Sequence, residues 1–399
     1  MSAYPLRVAA VEPAAIGADL AGRVLAAPVH ALEDAPPFTR SSVDGFAVRA
    51  ADVAAAKSGN VVRLTVAGDV PMGAKPAQPL QPGHAVRVPT GGFLPAGATG
   101  VVKKEDCRDL GDAIEVVDGA GSEDHITHQG ADVRRGDVLA RAGDVLTPAA
   151  IGMLSGAGVA RLELFAVPRV ALLVTGDEIV SPAAALRPGA VRDINSLSLT
   201  AALRAMGFAP VNYERVADRK DVFAAAFARA FDECDAVVIS GGSSVGERDY
   251  TPQIVAQAGE PGVIVHGVRA KPGRPTMLAV IGDKPVIGLP GNPVSALVML
   301  ETLGKPVLLR MYGKPNDALP YRARLRARLD LDSTLEHLVP VALSRGDDGL
   351  EAVPLLGTSS EMHILGHADA LVSIPEGSGP VEAGSLVDAM PLSRMTSLR

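Results

Sequence analysis

Residues 271–303 read KPGRPTMLAVIGDKPVIGLPGNPVSALVMLETL, and this stretch decides the fold because it contains a basic turn, an apolar strand and an apolar helix in succession. The strand is predicted at 286–289. A Pro-Gly-Asn-Pro corner follows it, and the helix is predicted to begin near Val294. Asn292 is a good N-cap residue, and Pro293 fits the first helical position, where a missing N–H is tolerated. The chain therefore leaves a strand and presents free helix amides at one point.

The residues around this corner have the chemistry of an oxyanion site. Lys271, Arg274 and Pro275 belong to the basic turn that precedes the strand. Ser295 lies in the first turn of the helix, directly after the predicted cap Asn292 and Pro293–Val294. Helix N-termini attract anions, so we expect the cations, the amides and the hydroxyl to converge on one oxyanion. The alternative is a strand–turn–helix corner whose cations are only solvated.

The composition describes a globular chain with several compact units. Its 399 residues exceed what one core usually fills, and it is 47% hydrophobic and 21% charged. A net charge of -7 and only 3% aromatic residues argue against binding to nucleic acid. An anionic small molecule remains compatible with this charge, because a local cationic pocket can oppose the global sign.

Cysteine usage and hydropathy indicate a cytoplasmic protein. The only cysteines are Cys107 and Cys234, which fits a reducing compartment and argues against a disulfide framework or a thiolate metal site. The N-terminal residues lack the apolar core of a signal peptide. The longest uncharged stretch, 285–300, contains three prolines and is shorter than the roughly 20 residues of a membrane helix, so we expect no membrane span.

The first part of the chain is predicted to form two units. Residues 52–127 alternate short apolar runs with Gly and Pro turns, which predicts a small β-rich domain. Residues 1–51 contain a short helix pattern and a strand at 24–30, and residues 128–167 contain a helix that Pro148 begins. Neither flank has enough apolar surface for its own core, so we expect both to form one elongated domain. The strands predicted in the β-rich domain are 61–66, 85–88, 100–102 and 114–117.

The second part is predicted to be α/β and then β. Residues 168–313 alternate apolar strands with helices, which specifies a parallel sheet with both faces covered. Residues 314–399 read as short strands and form a C-terminal β domain. The fold class is therefore α/β plus β, with a three-layer parallel-sheet α/β domain between the elongated mixed region and the C-terminal domain. The predicted α/β elements are strands at 170–174, 236–240, 263–265 and 286–289, and helices at 198–206, with Gly207 as C-cap, and 221–233.

A glycine-rich turn follows the strand at 236–240, at the carboxyl edge where parallel sheets bind ligands. Its GSSVG matches a nucleophile elbow, but the residues after it make a poor helix start. Its glycine spacing matches a P-loop, but Glu247 and Arg248 replace the required Lys and Ser or Thr. We therefore expect a turn whose amides approach a phosphate, with Asp249 available to a metal or a ribose. The alternative is an ordinary strand-to-helix turn. The candidate residues of this turn are Gly241, Gly242, Ser243 and Gly246.

Carboxylates mark this edge and the polar turns of the chain. Each of them alone is typical of a cap or a turn. Together with the cations of the basic turn they favour a magnesium and phosphate site, because magnesium takes one or two carboxylates plus substrate phosphate oxygens. The histidines lack the spacing of metal ligands. The carboxylates concerned are Asp44, Asp132, Asp177, Glu178, Asp218 and Asp249.

Six ordered motifs resemble the molybdopterin molybdotransferase family, which includes the MoeA type and the E domain of gephyrin. They are PPFTRSSVDGFAV, PTGGFLPAG, TGDEIV with the later DINS, SGGSSVGERDY, KPGRP and LPGNPVSALV. The resemblance implies an elongated homodimer of four-domain subunits, with the active site between the α/β domain of one subunit and a β domain of its partner. It also implies contact with a molybdopterin adenylyltransferase and with molybdoenzyme maturation proteins.

The resemblance implies a reaction in which molybdate is inserted into adenylylated molybdopterin, with magnesium-dependent release of AMP. Asp44 matches the family's catalytic-turn aspartate, Thr90 its substrate-contacting threonine and Asp132 a second aspartate of the same cleft. Glu178 matches the glutamate at the α/β edge. The family's acidic residues at the nucleotide and metal end correspond to Asp218 and Asp249.

Several positions depart from the family pattern. HITHQ, which includes Thr127, stands where the family often has an arginine, and Arg274 replaces a lysine, which changes the geometry of the charge. Val43 and Phe46 replace a methionine and a tyrosine around Asp44. Pro340 stands near the expected position of an arginine, with a serine at 359 or 360 as the remaining oxyanion contact. These departures leave open a carrier or scaffold that has lost transfer, or a tungstate-specific paralogue.

Overall fold

The computed structural model of the protein describes residues 4, 6–213, 216–241 and 250–393. Part of the predicted glycine turn lies outside the described residues, together with one predicted metal ligand. The site residues concerned are Gly242, Ser243, Gly246 and Asp249.

Short strands dominate the N-terminal part of the chain. Their pairing joins segments far apart in sequence, since β1 pairs with β12, β2 with β11 and β3 with β10, all antiparallel. The elements are β1 (Val11–Ala15), β2 (Val29–His30), β3 (Arg40–Ser41), β4 (Gly45–Val48), α1 (Ala50–Val53), β5 (Val62–Asp69), β6 (His84–Val88), β7 (Gly100–Lys103), β8 (Cys107–Asp109), β9 (Ala113–Val116), β10 (Ile126–Thr127), β11 (Val138–Ala140), α2 (Pro148–Gly156) and β12 (Arg161–Phe165).

The helix predicted within the first 30 residues is wrong. Residues Val11–Ala15 form a strand whose register runs from Val11 opposite Phe165 to Ala15 opposite Arg161. A β-ladder with a distant strand overrides the local helical pattern here. The helix that Pro148 begins is confirmed, with the Thr147 hydroxyl accepting from the Ala150 N–H at 3.1 Å.

The predicted β-rich region forms a six-stranded sheet in the order β7-β4-β6-β5-β9-β8. Its strands overlap the four predicted ones, and its core contains Phe46, Leu64 and Ile114. The two flanks share a separate core around Leu25 and Leu154. The domain division itself, 1–51 with 128–167, then 52–127, 168–313 and 314–399, stays a prediction.

The second part of the chain alternates strands and helices. The α6 helix continues through a π-helical turn, Leu300–Gly304, directly into α7. The elements are β13 (Arg169–Val174), β14 (Ile179–Val180), β15 (Val191–Arg192), α3 (Asn195–Met206), β16 (Ala209–Asn212), α4 (Lys220–Glu233), β17 (Ala236–Ser240), α5 (Thr251–Gln257), β18 (Pro261–His266), β19 (Ala270–Lys271), β20 (Met277–Ile281), β21 (Lys284–Leu289), α6 (Pro293–Met299) and α7 (Lys305–Met311).

These strands form a three-layer α/β unit, as the alternation predicts. Along β13, Val170 and Leu172 face a core that includes α3 and α7, whereas Ala171 and Leu173 face a core that includes α4 and α5. The sheet order is β16-β13-β17-β21-β20-β18. The first four strands are parallel, and β20 runs antiparallel to both of its neighbours, β21 and β18, so the sheet is mixed at one edge. The predicted C-cap Gly207 is confirmed, with φ 97°.

The C-terminal strands close into a barrel, because β23 pairs with both β24 and β25. The sheet order is β19-β23-β24-β22-β26-β25, so the strand β19 of the α/β part joins this sheet. The elements are β22 (Tyr321–Leu325), β23 (Glu336–Gly346), β24 (Gly349–Pro354), α8 (His363–His367), β25 (Ala370–Ile374) and β26 (Leu386–Pro391).

Within residues 6–213, 216–241 and 250–393, none of the helices combines the length and the apolar character that a bilayer crossing requires.

The basic turn packs directly on α6. Gly273 has φ +120°, and a Cβ there would lie 2.4 Å from both Cγ and Sδ of Met299. The Thr276 hydroxyl and N–H both donate to the Gly273 carbonyl, at 2.6 and 3.0 Å. Only a glycine therefore fits between the turn and the helix that starts at the next corner.

Gly273→Ala tests this packing against a matched glycine. Gly282 also has a positive φ, +61°, but has open space around its Cβ position. We expect Gly282→Ala to lower the free energy of unfolding by about 1–2 kcal/mol from backbone strain alone. Gly273→Ala adds overpacking against Met299 and should cost about 2–5 kcal/mol in total. Urea denaturation of both variants measures the difference, and equal losses would contradict the close packing.

Candidate active site

The carboxyl ends of three parallel strands lie level with one another. Val174 of β13 is opposite Ser240 of β17, and Ser240 is opposite Leu289 of β21. The turns that follow these strands therefore leave the sheet along one edge. We call this edge, residues 175–178, 240–241 and 290–292, the rim. The prediction that the glycine turn begins at the carboxyl edge of the sheet is confirmed at Gly241, its described residue.

Two turns of the rim are in direct contact at Gly241. This residue has φ +93°, and a Cβ there would lie 2.6 Å from the carbonyl oxygen and 2.7 Å from the hydroxyl of Thr175. A Cβ on Gly291 would lie 3.7 Å from the Gly241 Cα. Gly241, the predicted phosphate-binding residue that the structure describes, therefore sits where all three turns meet.

A buried amide joins the last two turns of the rim. The Asn195 Nδ2 donates to the Ser240 Oγ and to the Gly291 carbonyl, both at 2.8 Å. The Ser240 hydroxyl in turn donates to the Pro290 carbonyl at 3.3 Å. Sequence reasoning did not single out Asn195 or Ser240. Asn195 belongs to the DINS motif, and Ser240 is the one polar residue at the end of an otherwise apolar strand, so both had a signal in the sequence.

Acidic side chains line the first turn of the rim. The Glu178 carboxylate folds over Gly176, its oxygens 3.0 Å from the position of a Cβ there. The Asp177 carboxylate accepts from the Asp218 N–H at 3.1 Å. Asp218 accepts from the Tyr250 hydroxyl at 2.8 Å. Tyr250 is a contact that sequence reasoning missed, although it directly follows Asp249 in the quoted motif.

The described carboxylates do not by themselves form a closed metal cage. Over the ranges that the structure covers, no group of three or more His, Cys, Asp or Glu side chains is placed to hold a metal ion. Asp249, predicted as a metal ligand beside Asp218, lies outside those ranges. A site of one or two carboxylates completed by substrate oxygens agrees with this arrangement, because magnesium is commonly bound in that way.

The predicted cations lie on the side of the rim next to the C-terminal barrel. Lys271 and Arg274 are exposed, and Pro275 is half-buried. Lys271 is opposite His337 in the pairing of β19 with β23. The pKa of Asp332 is lowered chiefly by the Thr334 N–H and hydroxyl, with the charges of His337 and Lys271 contributing. The basic turn is therefore held between the α/β sheet and the barrel.

The predicted N-cap position of Asn292 at the start of α6 is confirmed. Its side chain makes no capping hydrogen bond, and its Nδ2 donates to the Ser359 Oγ at 2.8 Å. The Val294 N–H donates to the Ser359 carbonyl at 3.1 Å. Ser295 is buried directly behind this corner. The Val294 N–H, which the sequence pattern predicted to be free, is therefore bonded to the barrel. The sequence gives no local signal for this contact, because Ser359 lies 67 residues from Asn292.

A second group of predicted site residues lies in the N-terminal part. The Asp44 Oδ1 accepts from the Thr90 N–H at 2.7 Å, and both side chains are exposed. The next residue must be a glycine, because a Cβ on Gly45 would lie 2.0 Å from the Val102 carbonyl oxygen. Hydrogen bonds from the Thr90 N–H and hydroxyl, and then the charge of Lys104, lower the pKa of Asp44. Asp44 therefore stays ionised at pH values below the range in which carboxyl groups usually titrate.

Asp132 lies on an exposed turn held by a residue that sequence reasoning missed. The Asp132 N–H donates to the Ala35 carbonyl at 3.0 Å. The neighbouring Asp34 accepts from the Arg135 N–H at 2.9 Å and from the Gln129 amide at 2.8 Å. An aspartate shortly before two prolines was the available signal, since such residues often organise turns.

The two groups of predicted residues are separate within one chain. The hydrogen bonds of Asp44, Thr90 and Asp132 all stay within the N-terminal part. Those of the rim involve the α/β part and the barrel. The structure therefore joins Asp44 to Thr90, and Asp177 to Asp218, by hydrogen bonds that stay within each group.

Three family models match successive regions of the chain. They are described as the MoeA N-terminal region (domain I and II) over residues 3–158, a probable molybdopterin binding domain over 171–310, and the MoeA C-terminal region (domain IV) over 322–392. The matches follow the same order as the N-terminal part, the α/β part and the barrel.

Similar proteins cover almost the whole chain. Molybdopterin molybdenumtransferase 2 of Mycobacterium tuberculosis is 33% identical over 385 residues, 93% of each chain. Molybdopterin molybdenumtransferase of a Nostoc species is 30% identical over 93% of this chain and 86% of its own. The crystal structure of a molybdopterin biosynthesis MoeA protein from Pyrococcus horikoshii is 34% identical, with a TM-score of 0.81 over 97% of this chain and 96% of its own.

Thr90→Val tests what keeps Asp44 ionised. We expect the pKa of the Asp44 carboxyl to rise, because the hydroxyl donor is lost while the N–H donor at residue 90 stays. A lowered carboxyl pKa stabilises the fold above the usual carboxyl range, and this contribution is lost as pH falls through the lowered value. As the pH falls, Thr90→Val should lose this stabilising contribution at a higher pH than the wild type does. NMR titration of carbon-13-labelled aspartate side chains measures the shift.

Asp34 serves as the control in the same titration. Its pKa is also lowered, first by the Arg135 N–H and then by the Gln129 amide, neither of which involves Thr90. Its titration should be identical in the wild type and in Thr90→Val. An Asp44 pKa that does not move in the variant would contradict the assigned cause.

Proposed function

The chain belongs to the MoeA family of molybdopterin molybdenumtransferases, and from this we infer that it is a transferase of molybdenum cofactor biosynthesis with molybdopterin and molybdate as substrates. The observation that carries this conclusion is the similarity to a molybdopterin molybdenumtransferase over 93% of both chains. A match of that extent includes the N-terminal part, the rim and the barrel together. The glycines of the rim support it, since Gly241 lies beside both Thr175 and Gly291.

We propose that the reaction inserts molybdate into adenylylated molybdopterin and releases AMP. Molybdate is a tetrahedral dianion, and Lys271 and Arg274 are the exposed cations of the turn that packs on α6. Arg274 offers a planar fork of donors where a lysine would offer a point charge, and such a fork matches two oxygens of one oxyanion. Asn292 and Ser295 are the proposed polar groups of the same subsite, which also includes Pro275.

The glycine turn is the proposed contact for the pyrophosphate link. Gly241 lies where the three rim turns meet and has no side chain to keep a phosphate away from the backbone. Gly242, Ser243 and Gly246 extend this proposal to residues outside the described ranges. The phosphates would then lie between the acidic turn at 175–178 and the corner at 290–292.

Magnesium is the proposed metal cofactor, and the donor set fits it. Asp218 is half-buried at the rim next to Asp177, which matches an ion that needs one or two carboxylates plus phosphate oxygens. Asp218 and Asp249 are the proposed holders, with Glu178 close by. When bound, magnesium supplies positive charge that offsets the phosphate oxygens. Tyr250 orients Asp218 through its hydroxyl.

A homodimer is proposed to complete the site. Asp44, Thr90 and Asp132 are exposed and make no contact with the rim of their own chain, so a partner subunit is the natural source of the rim that they serve. An exposed apolar group next to the rim supports a contact between subunits. Its members and their exposed fractions are Leu186 at 54%, Val191 at 52%, Ile194 at 39% and Leu197 at 59%.

The cellular context follows from the proposed chemistry. Cys107 and Cys234 are free thiols, which supports a reducing, cytoplasmic location. A molybdopterin adenylyltransferase is the proposed source of the adenylylated substrate. Molybdoenzyme maturation proteins are the proposed recipients of the product.

Loss of AMP release in carboxylate variants tests the proposed reaction. Wild-type protein incubated with adenylylated molybdopterin, molybdate and magnesium should release AMP. Asp44→Ala and Glu178→Ala should each lower turnover by roughly 10²-fold or more, because each removes charge that is positioned for the reacting groups. Chromatographic measurement of AMP gives the rates.

Asp348→Ala is the matched control for both carboxylate variants. Asp348 is an exposed carboxylate at the turn between β23 and β24 of the barrel, away from either group, and its removal should leave turnover unchanged. Substrate binding by the wild type without any AMP release would overturn the transferase assignment in favour of a carrier. Turnover with tungstate but not with molybdate would identify a tungstate-specific enzyme.

Mixed dimers test whether the site is shared between subunits. Co-expressed Asp44→Ala and Glu178→Ala chains should form heterodimers in which one of the two sites carries neither substitution. Random pairing should restore about a quarter of wild-type activity. Light scattering should give twice the chain mass of 40.9 kDa. A monomer, or mixed dimers as inactive as the parents, would place the site within one chain.

A further inference from the structure

Asn195 is a buried amide whose donors both point at the rim. It is the first residue of α3 and only 7% of its surface is exposed. Its Nδ2 donates to the Ser240 Oγ and the Gly291 carbonyl, each at 2.8 Å. Its Oδ1 is buried and has no hydrogen-bond partner among the residues that the structure describes. The two donor contacts alone therefore fix the orientation of this amide.

These two contacts connect the turns that follow neighbouring strands. Ser240 is the last residue of β17 and Gly291 follows the end of β21. The Ser240 hydroxyl also donates a hydrogen bond to the carbonyl of Pro290, the residue before Gly291. Gly241 is packed between Thr175 and Gly291, so a shift of either turn would move it. The amide thus sets the spacing of the turns that are proposed to contact the substrate.

The start of α3 does not need this amide. The Asp193 Oδ1 accepts from the Ser196 N–H at 3.0 Å, which holds the first turn of the helix. The Thr200 hydroxyl donates to the Asn212 side chain at 2.8 Å and fixes the helix against β16. Because the helix is held by these other contacts, the donors of Asn195 act on the rim and not on the helix itself.

We propose that Asn195 is a positioning residue for substrate binding, which sets the distance between the 240–241 and 290–292 turns through Ser240 and Gly291. This proposal rests on the proposed function, since it names a residue that acts on the same rim. The role requires an N–H donor and not only the size of the side chain. Aspartate has the same shape but would oppose an acceptor oxygen to the Gly291 carbonyl, and the Ser240 hydroxyl could bond to it only by turning away from the Pro290 carbonyl.

Asn195→Ala and Asn195→Asp test the requirement for a donor. We expect each to raise the KM for adenylylated molybdopterin by about tenfold, the effect of one net buried hydrogen bond, with a smaller change in kcat. Ser198→Ala is the matched control. It lies on the same helix, and its hydroxyl is buried without a partner among the described residues, so its KM should equal that of the wild type. Equal KM values for Asn195→Asp and the wild type would overturn the proposal.

A double-mutant cycle with Ser240→Ala separates positioning from a general structural role. If Asn195 acts through Ser240, the loss of substrate binding in the double variant should be smaller than the sum of the two single losses, because the contact that they share is lost only once. Losses that add would contradict the proposal. Ser240→Ala keeps the contact between Asn195 and Gly291, so it provides a usable variant even if Asn195→Ala fails to fold.

Hydrogen exchange tests the same proposal without turnover. The amides of residues 240–241 and 291–292 should exchange faster in Asn195→Ala and at the wild-type rate in Ser198→Ala. Unchanged exchange at both turns would overturn the proposal. A wild-type protein that releases no AMP would overturn the proposed function, and the exchange result would then decide alone whether Asn195 sets the two turns.

Discussion

The level register of three parallel strands is the constraint on which the rest of the structure depends. Because Val174, Ser240 and Leu289 lie side by side, the chain must leave the sheet three times along one edge. The turns that follow are then close enough for glycines to be the only residues that fit, as at Gly241 beside Thr175. Backbone amides without covering side chains are the physical basis of phosphate sites at such edges.

Charge is divided between two parts of the chain. The basic turn beside the barrel carries exposed cations and the rim carries the carboxylates of the acidic turn, while Asp44 is kept ionised in the N-terminal part by the Thr90 N–H and hydroxyl. Within one chain these groups do not meet. Ser359 of the barrel, in contrast, contacts the corner at Asn292 directly, so the α/β part and the barrel act as one surface. A shared site between subunits would unite the two groups.

Local pattern predicted the parts of the fold that depend on local sequence. Strands β13, β17, β18 and β21 and helices α3, α4 and α6 of the α/β part follow from apolar periodicity, whereas β16, β20 and α5 were not predicted. The C-cap at Gly207 follows from its type and place. Pairings between distant segments were not predictable in this way. The strand at Val11–Ala15 forms because it meets β12 about 150 residues later, and β20 runs antiparallel to β21 because a tight turn joins them. Likewise Asn292 bonds to Ser359, and no neighbouring residue signals that contact.

The rim and the neighbouring basic turn are proposed to bind the nucleotide and the oxyanion together. A crystal structure of the protein with AMP, molybdate and magnesium would show where both ligands bind. We expect a phosphate oxygen within hydrogen-bond distance of the Gly241 amide and molybdate in contact with Lys271 and Arg274. Ligands bound away from the rim, or a phosphate that lies nearer to the barrel than to Gly241, would contradict it.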